Sequence, residues 1–477
     1  MRSPIFVWLI LALASGDSAA KPKPENSLID LPSPGFWREV SLAFNQSMFR
    51  LLRLLVLLPA MFVVAVSPSP AQTMPHFLCC DYNGGKVCVV SMDGQIEWEF
   101  EAKNPDIKVN MEYLGYDFIH DKITTGMAAN PPAYDAVMID VIWPDEFVKA
   151  NYLLDVTDRI TPEMKKDMFP ASWNGVTRDG KVYGMPWLMD VKYFMYNKDM
   201  LQKAGISEPP KTWEELVDQA KTIKEKGIVE FPIIWSWNQK EGVVCDFAAL
   251  LYGNGGSFLD ANGKPAFNND KGVEVLTWMK QTLDDGLTNP ASVSSDENAV
   301  RDNFIAGQSA FAVNWLFQYS DSNDASKSTV PGQAAFAPMP VFKAGADAGI
   351  QSSSVDGSSS FAVMATTPYP DQVWKFLSYL SSYDVQMKYS AEMLPVWQTA
   401  FQGNALKQLE SATPTNPVTV PAFQAQFPYA NERPTVPYYN EASAALQLAI
   451  QEALTGVKSP KDALDGAAAK WDQLGAK

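Results

Sequence analysis

Histidine is nearly absent from this 477-residue sequence, which holds only His76 and His120. Neither lies in the spacing of a catalytic triad or a metal site, and the sequence lacks a Gly-x-Ser-x-Gly nucleophile turn and a phosphate-binding loop. We therefore expect no metal, no cofactor and no enzymatic activity. A carbohydrate-active enzyme using paired carboxylates stays as the alternative, because sequence does not give the separation between two carboxylates.

Basic residues are also scarce, with 38 Lys and Arg against 54 Asp and Glu and a net charge of −16. A nucleic-acid-binding protein needs a basic face, so this class is excluded. Only four cysteines occur, and Cys79, Cys80 and Cys88 lie close together. They are either free thiols or one local disulfide between Cys88 and its neighbours. Cys245 lies in an apolar run, which predicts a buried side chain.

No apolar run is long enough for a comfortable membrane span. The run Leu54–Val66 follows Arg50 and Arg53 and precedes a small-residue stretch ending at Ala71. This pattern is typical of a secretory signal, so we predict that 1–71 is an extension plus signal peptide with Met48 as the natural start. A membrane anchor is the alternative. The signal predicts export to the periplasm, without a lipoprotein cysteine.

The segment 72–100 has an unusual pattern for the start of an α/β domain. Lys86–Ser91 alternates like a strand, and Met92–Trp98 predicts a turn into a second strand. This piece is similar to one hairpin of a β-propeller repeat, and a propeller-like interaction protein is therefore a third function class. One isolated repeat does not make a propeller, so we treat the segment as an atypical N-terminus.

From about Glu101 onward, strand and helix patterns alternate, which predicts α/β layers on mostly parallel sheets. Thr212-Trp-Glu-Glu215 predicts a capped helix start, and Ser459-Pro460 predicts another. Asp270–Asp285 predicts a helix. The predicted strands are Ile107–Tyr113, Tyr134–Ile139, Phe231–Trp235 and Ala310–Trp315.

An ordered series of motifs spans roughly Glu101–Lys477 and resembles the family 1 extracellular solute-binding proteins, the sugar-binding relatives of the maltose-binding protein. The motifs are Tyr183-Gly-Met-Pro-Trp187, Tyr193–Gly205, Pro209–Leu216, Phe304–Ala312, Trp374–Leu377, Leu394-Pro-Val396, Arg433-Pro434 and Gly456–Leu464. The sequence departs from the family in bulky Tyr193 and in a first helix that we expect to be missing before Asn104-Pro105.

The resemblance implies a two-lobe, type II periplasmic-binding-protein fold with discontinuous lobes and crossing hinge segments. Lobe I would take 86–188 and 336–395, and lobe II would take 189–335 and 396–477. It also implies a monomer that captures a small carbohydrate by hinge closure and delivers it to the membrane subunits of an ABC importer. A polyol, a polyamine or a peptide is the alternative ligand.

A sugar site needs aromatic faces for the C–H surfaces of the ring and acceptors for its hydroxyls. Such residues follow predicted strands, where ligands of α/β proteins collect. The candidates near strand ends are Tyr116, Asp140, Trp143, Trp235, Trp237, Glu241 and Trp315. Segments that cross between lobes or approach the cleft in the resembling family add Trp187, Asp190, Asp356, Gly357 and Arg433.

Overall fold

The computed structural model describes residues 76–81, 95–129, 133–390 and 393–476. They belong to one compact unit that spans 70–477. No helix in these ranges is both long and apolar enough to cross a membrane. The predicted signal peptide, Met48 and Cys88 lie outside the described residues.

A five-stranded mixed sheet is the centre of the first lobe. Its strands are β1 (His76–Asp81), β2 (Asn110–Gly115), β3 (Ala136–Asp140), β6 (Met185–Leu188) and β12 (Ser359–Val363), in the spatial order β2-β1-β3-β12-β6. β1 pairs in parallel with β2 and β3, whereas β12 is antiparallel to both β3 and β6. β3 and β12 are buried along their whole length, as expected for strands covered on both faces.

A four-stranded sheet is the centre of the second lobe. It contains β7 (Tyr193–Asn197), β8 (Ile233–Ile234), β9 (Phe311–Asn314) and β10 (Ala334–Ala337) in the order β10-β7-β9-β8. Only β8 and β9 are parallel. The expectation of mostly parallel sheets was therefore wrong. In the first sheet, the chain leaves after β6 and returns from the second lobe at β12, which runs antiparallel to both of its neighbours.

Three segments cross between the lobes and pair with each other. The first joins β6 to β7, and its Val191 forms an isolated bridge with Asp356 of the second segment. The second contains β11 (Ser354–Val355), which pairs in parallel with β13 (Ala430–Asn431) of the third. The lobes are thus joined by three short lengths of extended chain side by side. A separate hairpin in the first lobe joins β4 (Thr177–Arg178) and β5 (Lys181–Val182).

Helices account for most of the remaining structure. In chain order they are α1 (Gln95–Lys103), α2 (Tyr116–Ala128), α3 (Pro144–Lys149), α4 (Pro162–Asp167), α5 (Pro170–Asn174), α6 (Lys198–Ala204), α7 (Trp213–Glu225), α8 (Glu241–Gly253), α9 (Asp270–Asp284), α10 (Glu297–Ile305), α11 (Leu316–Asn323), α12 (Lys343–Asp347), α13 (Pro370–Leu380), α14 (Tyr383–Lys388), α15 (Gly403–Ser411), α16 (Asn416–Gln426), α17 (Tyr439–Leu454) and α18 (Pro460–Gly475). Short 3₁₀ turns occur at Thr157–Arg159, Pro290–Ser294, Gln398–Phe401 and Phe427–Tyr429.

The N-terminal segment differs from its prediction. Gln95–Lys103 is a helix, so the predicted second strand was wrong, and a helix does precede Asn104, whereas the predicted turn at Met92–Gly94 lies outside the described residues. Ile96 and Phe100 are buried, and Phe100 packs edge-on against Phe376 of α13 at 4.9 Å between ring centroids. The spacing of four residues between these two apolar side chains indicates a helix that has both on one face, and this face is the one that is buried. The predicted strand Lys86–Ser91 lies outside the described residues.

Local signals elsewhere were confirmed. The Thr212 hydroxyl accepts from the Glu215 N–H, and the Glu215 carboxylate accepts from the Thr212 N–H, which completes the predicted capping box of α7. Ser459 caps α18 as predicted. Cys245 is buried in α8, also as predicted.

Candidate functional site

A cavity of about 350 Å³ lies where both lobes and the crossing segments meet, and we call it the central cavity. Seven of the twelve residues predicted to hold ligand line it: Tyr116, Asp140, Asp190, Glu241, Trp315, Gly357 and Arg433. They come from the ends of β2 and β3, the start of α8, the end of β9 and the three crossing segments. Distant parts of the sequence therefore converge on one site.

Arg433 joins the two lobes at the base of the central cavity. It follows β13 and is 2% exposed. Its Nη1 donates to Glu241 Oε1 at 2.7 Å, and its Nη2 donates to Asp140 Oδ1 and to the Asp356 carbonyl, both at 3.1 Å. Burying a guanidinium is costly unless partners of opposite charge surround it. The two carboxylates supply this compensation, one from each lobe.

Asp140 is held at the first-lobe wall by its neighbours. The Tyr116 hydroxyl donates to Asp140 Oδ2 at 2.7 Å, and the Ile142 N–H donates to Oδ1 at 3.2 Å. The Tyr116 ring stacks on Trp143 with 5.8 Å between centroids. Trp143 is 2% exposed and does not line the central cavity, so it supports Tyr116 from behind.

Glu241 starts α8, where the helix dipole favours a carboxylate. Besides Arg433, it accepts from the Tyr439 hydroxyl at 2.7 Å and from the Ser443 hydroxyl at 2.5 Å. Both donors lie on α17, so Glu241 ties two helices of the second lobe to the buried arginine. Burial raises the pKa of Tyr439, and the adjacent Glu241 charge adds to this effect.

Trp315 is a partly exposed aromatic side chain in the wall of the central cavity. It precedes α11, and its Nε1 donates to Glu297 Oε1 at 3.4 Å. Lys192 Nζ lies 4.9 Å from the centroid of its ring. Gly357 packs so closely that an added Cβ would lie 2.4 Å from Trp315 Cζ3. These contacts fix the indole plane.

Beneath Trp315 is a buried ionic network. Lys192 is fully buried, with Nζ at 2.9 Å from Ser236 Oγ and 3.2 Å from Asp246 Oδ1. Burial opposes its charge, but Asp246 and Glu297 outweigh that cost and raise the pKa of Lys192. Burial raises the pKa of Asp246 to about 6, partly offset by Lys192.

Two further carboxylates belong to the crossing segments. Asp190 accepts from the N–H groups of Val191 at 2.9 Å and Leu316 at 3.4 Å, and burial raises its pKa to about 7. Asp356 accepts from the N–H and the hydroxyl of Ser358, and burial raises its pKa to about 6. Asp190 lines the central cavity, whereas Asp356 reaches it through its carbonyl bond to Arg433.

Besides Trp143, three predicted tryptophans lie in the core rather than in the cavity wall. Trp187 is 1% exposed and packs on Phe361 at 5.3 Å. Trp235 and Trp237 stack on each other at 5.2 Å, so their spacing of two does place them on one side, as predicted. That side faces Trp213 of α7 and not the central cavity.

Several lining residues were not predicted. The chief ones are Leu188, Met189, Lys240, Asp296, Glu297, Phe317, Met393 and Asn416. Asp296 is the N-cap of α10 and accepts from the Ala299 N–H at 2.9 Å. An acidic pair at a helix start was visible in the sequence, but it is equally typical of a solvated helix end.

Besides Arg433, the side chains of Lys240 and Asn440 make polar contacts that join the lobes around the central cavity. At its mouth Lys240 pairs with Asp117. Outside the cavity lining, the Asn440 amide of α17 lies 2.7 Å from both His120 Nε2 and Glu146 Oε2 in the first lobe. Burial lowers the pKa of His120, but Glu146 and Asp121 outweigh it, so the pKa is raised. Within the described ranges no group of acidic, His and Cys side chains could hold a metal ion.

Comparison with known proteins places these observations in context. A sequence profile described as "bacterial extracellular solute-binding protein" matches residues 91–387. A probable ABC transporter-binding protein of Deinococcus radiodurans is 34% identical over 200 residues, 41% of this chain and 47% of that protein. A putative binding protein of Brucella abortus is 26% identical over 382 residues, 80% of this chain and 89% of that protein.

Among solved structures, a T. maritima MalE3 with maltose bound superposes with a TM-score of 0.76 and 26% identity. The match covers 84% of this chain and all of that chain. The predicted α/β fold, with two discontinuous lobes of the type II periplasmic-binding-protein class, is therefore confirmed.

Proposed function

The chain belongs to the bacterial extracellular solute-binding protein family, and we propose that it captures a small carbohydrate in the central cavity and delivers it to the membrane subunits of an ABC importer. We propose further that it acts as an exported, periplasmic monomer after removal of the N-terminal signal. The T. maritima neighbour with bound maltose supports a sugar as the ligand class.

The observation that carries this proposal is the composition of the central cavity wall. Trp315 and Tyr116 offer aromatic surface, and Asp190, Asp296 and Glu297 offer carboxylate oxygens beside it. Aromatic planes match the C–H faces of a sugar ring, and carboxylates accept strong hydrogen bonds from its hydroxyls. The crossing segments supply part of this wall, so a ligand there contacts the hinge and both lobes.

An enzyme with paired carboxylates is the alternative from another class. Glycoside hydrolases place an acid and a base, or a nucleophile, on opposite sides of the scissile bond. Asp140 and Glu241 instead bind the same Arg433 guanidinium, at 3.1 and 2.7 Å. Both carboxylates are committed to a structural ion pair, which favours binding without turnover.

A thermal-shift panel of sugars, polyols, polyamines and peptides tests the proposal. A sugar at 100 times its dissociation constant stabilises the folded state by about 2.7 kcal/mol. We expect such a shift with at least one neutral or amino sugar and no change in that sugar on prolonged incubation. Stabilisation by polyamines or peptides alone would contradict a sugar ligand, and release of a cleavage product would contradict a binder.

The Trp315→Ala variant links the response to the central cavity. Loss of a stacking indole should weaken binding by about 1–3 kcal/mol, whereas Trp98→Ala should leave affinity unchanged. Trp98 lies on α1, is 68% exposed and does not line the cavity, so it is a matched control. Equal affinity in both variants would mean that the sugar binds elsewhere.

A further inference from the structure

The central cavity has many acceptors and few open cationic donors. Among the described residues, six carboxylates line it, and the lining cations are Arg433 and Lys240. Arg433 is bonded to Asp140, Glu241 and the Asp356 carbonyl, and Lys240 is paired with Asp117. Both cations are therefore already neutralised by acidic neighbours.

The remaining three lining carboxylates are Asp190, Asp296 and Glu297, of which Glu297 contacts Trp315 and Asp190 contacts its neighbour Leu316. Asp190 accepts two backbone N–H bonds, Asp296 accepts one as a helix N-cap, and Glu297 accepts from the Trp315 indole. Lys192 is the cation beside them, with Nζ at 3.6 Å from Glu297, but it is fully buried and shared with Asp246. Asp296 and Glu297 consequently make the charge that faces a ligand at this wall negative, whereas Asp190, whose pKa burial raises to about 7, chiefly adds polar oxygens.

Neutral donors of the lining are also partly committed. The Asn416 amide donates to the carbonyls of Ser390 and Leu409 at 3.1 and 2.7 Å. The Ser390 hydroxyl donates to the Met387 carbonyl at 2.9 Å. A ligand carboxylate or phosphate therefore finds neutral donors such as Asn298, Ser320 and Thr419 but no unpaired cation among the described lining residues, and it meets like charge. A group that donates finds several open oxygens.

We infer that the solute is a non-anionic, donor-rich carbohydrate, and that among otherwise equal sugars the site prefers one carrying an ammonium group. This inference rests on the proposed function and adds an order of preference by charge, with amino sugars bound more tightly than neutral sugars and neutral sugars more tightly than sugar acids. We call this order the charge rule. An ammonium group near Trp315 would be attracted by the neighbouring carboxylates and by the face of the indole ring. A sugar acid in the same pose would bring its own negative charge next to the carboxylates of this wall. The neighbouring cations are already paired with acidic side chains and would not offset the repulsion.

Isothermal titration calorimetry on the full protein tests the rule with three matched series. Glucose, galactose and mannose are each compared with their 2-amino and 6-carboxylate forms at pH 7. In the series that binds, we expect the amino sugar to bind about threefold to tenfold tighter than the neutral sugar, and the acid at least about tenfold weaker. These ratios reflect one added charge in a partly solvated cavity.

Each outcome bears on a different statement. An acid that binds as tightly as its neutral parent, or an amino sugar that binds more weakly, overturns the charge rule and leaves sugar capture standing. Absence of binding by all nine compounds also overturns it. Absence of any sugar or polyol response in the wider thermal-shift panel overturns the proposed function itself.

Asp296→Asn connects the rule to this wall. Asparagine caps a helix as well as aspartate, so the fold of α10 is kept while one charge is removed. Asp296 also offers oxygens to sugar hydroxyls, so binding of both sugars should weaken, and the amino-to-neutral affinity ratio should fall about threefold because one charge is lost. Asp270→Asn is the control, since Asp270 is exposed at the start of α9 and does not line the cavity. An unchanged ratio in Asp296→Asn would overturn the assignment of the preference to this wall.

Discussion

Replacing Arg433 should test the central ionic connection between the lobes. In Arg433→Met the side chain keeps its apolar bulk but loses the charge that neutralises Asp140 and Glu241. Removing one partner of a buried ion pair costs about 3–5 kcal/mol, because the other charge stays buried without compensation. Tyr116, Tyr439 and Ser443 still donate to the two carboxylates, so we expect the lower end of this range, about 3 kcal/mol.

Urea unfolding followed by tryptophan fluorescence measures this loss as a change in the free energy of unfolding. Adding Glu241→Gln to Arg433→Met should recover about 1 kcal/mol or more, since one uncompensated charge is removed. Arg159→Met is the control. Its partner Asp371 is 81% exposed, so breaking that pair should cost less than about 1 kcal/mol. A loss in Arg433→Met no larger than in the control would refute the structural role assigned to the guanidinium.

Three further predictions address the wall, the hinge and the interlobe contacts. Gly357→Ala should weaken sugar binding more than Ser358→Ala in calorimetry, because its Cβ would displace Trp315. Asp190→Asn should stabilise the protein more at pH 7.5 than at pH 4.5 in thermal unfolding. Burial raises the pKa of the Asp190 carboxyl to about 7, so the folded state binds the carboxyl proton more tightly than the unfolded chain does. The folded state therefore loses stability as the pH rises from the ordinary pKa of an aspartate to about 7, and the Asp190→Asn variant avoids that loss. Asn440→Ala should speed sugar dissociation in stopped-flow fluorescence, since Asn440 joins the lobes without lining the cavity; an unchanged off-rate would contradict that role.

Local chemistry was the part of the fold that sequence predicted best. The capping box at Thr212 and the N-cap at Ser459 depend on residues within one turn, so the signal and the structure share the same few atoms. The helix Gln95–Lys103 was missed because Asp93 and Gly94 suggested a turn, although Ile96 and Phe100 already had helical spacing. Their packing against α13, far along the chain, decided the outcome.

The sequence predicted several residues of the candidate site but not the contacts between them. Asp140, Glu241 and Trp315 were marked because they follow strands or begin helices, and strand ends of an α/β protein do meet at one edge. The Arg433 bonds to Asp140 and Glu241 connect residues separated by 293 and 192 positions. No local pattern encodes such a pairing, so the sequence indicated the participants but not that they satisfy each other.

The positions of the tryptophans show that strand periodicity does not predict which aromatic side chains line the cavity. Trp235, Trp237 and Trp315 all follow strands of the same sheet, yet only Trp315 borders the central cavity. Trp213 of α7 packs against Trp235, so that side of the strand end is closed. At Trp315 the neighbour is Gly357 of a crossing segment, which lacks the side chain that would fill the space. Alternation along a strand predicts which side chains share a side of the sheet. Whether a cavity remains on that side depends on the size of the residue that a distant part of the chain packs there.

That arrangement has a mechanical consequence for binding. Asp190, Gly357 and Arg433 lie on the three crossing segments, and each also lines the central cavity. Domain closure is driven only by contacts that differ between the open and closed states. A sugar held between Trp315 and these segments would contact the parts of the chain whose backbone must rotate in the hinge. In the proposed capture mechanism, ligand contact and hinge position are coupled through the same residues, so we predict that changes at Asp190 or Gly357 alter affinity and closure together rather than separately.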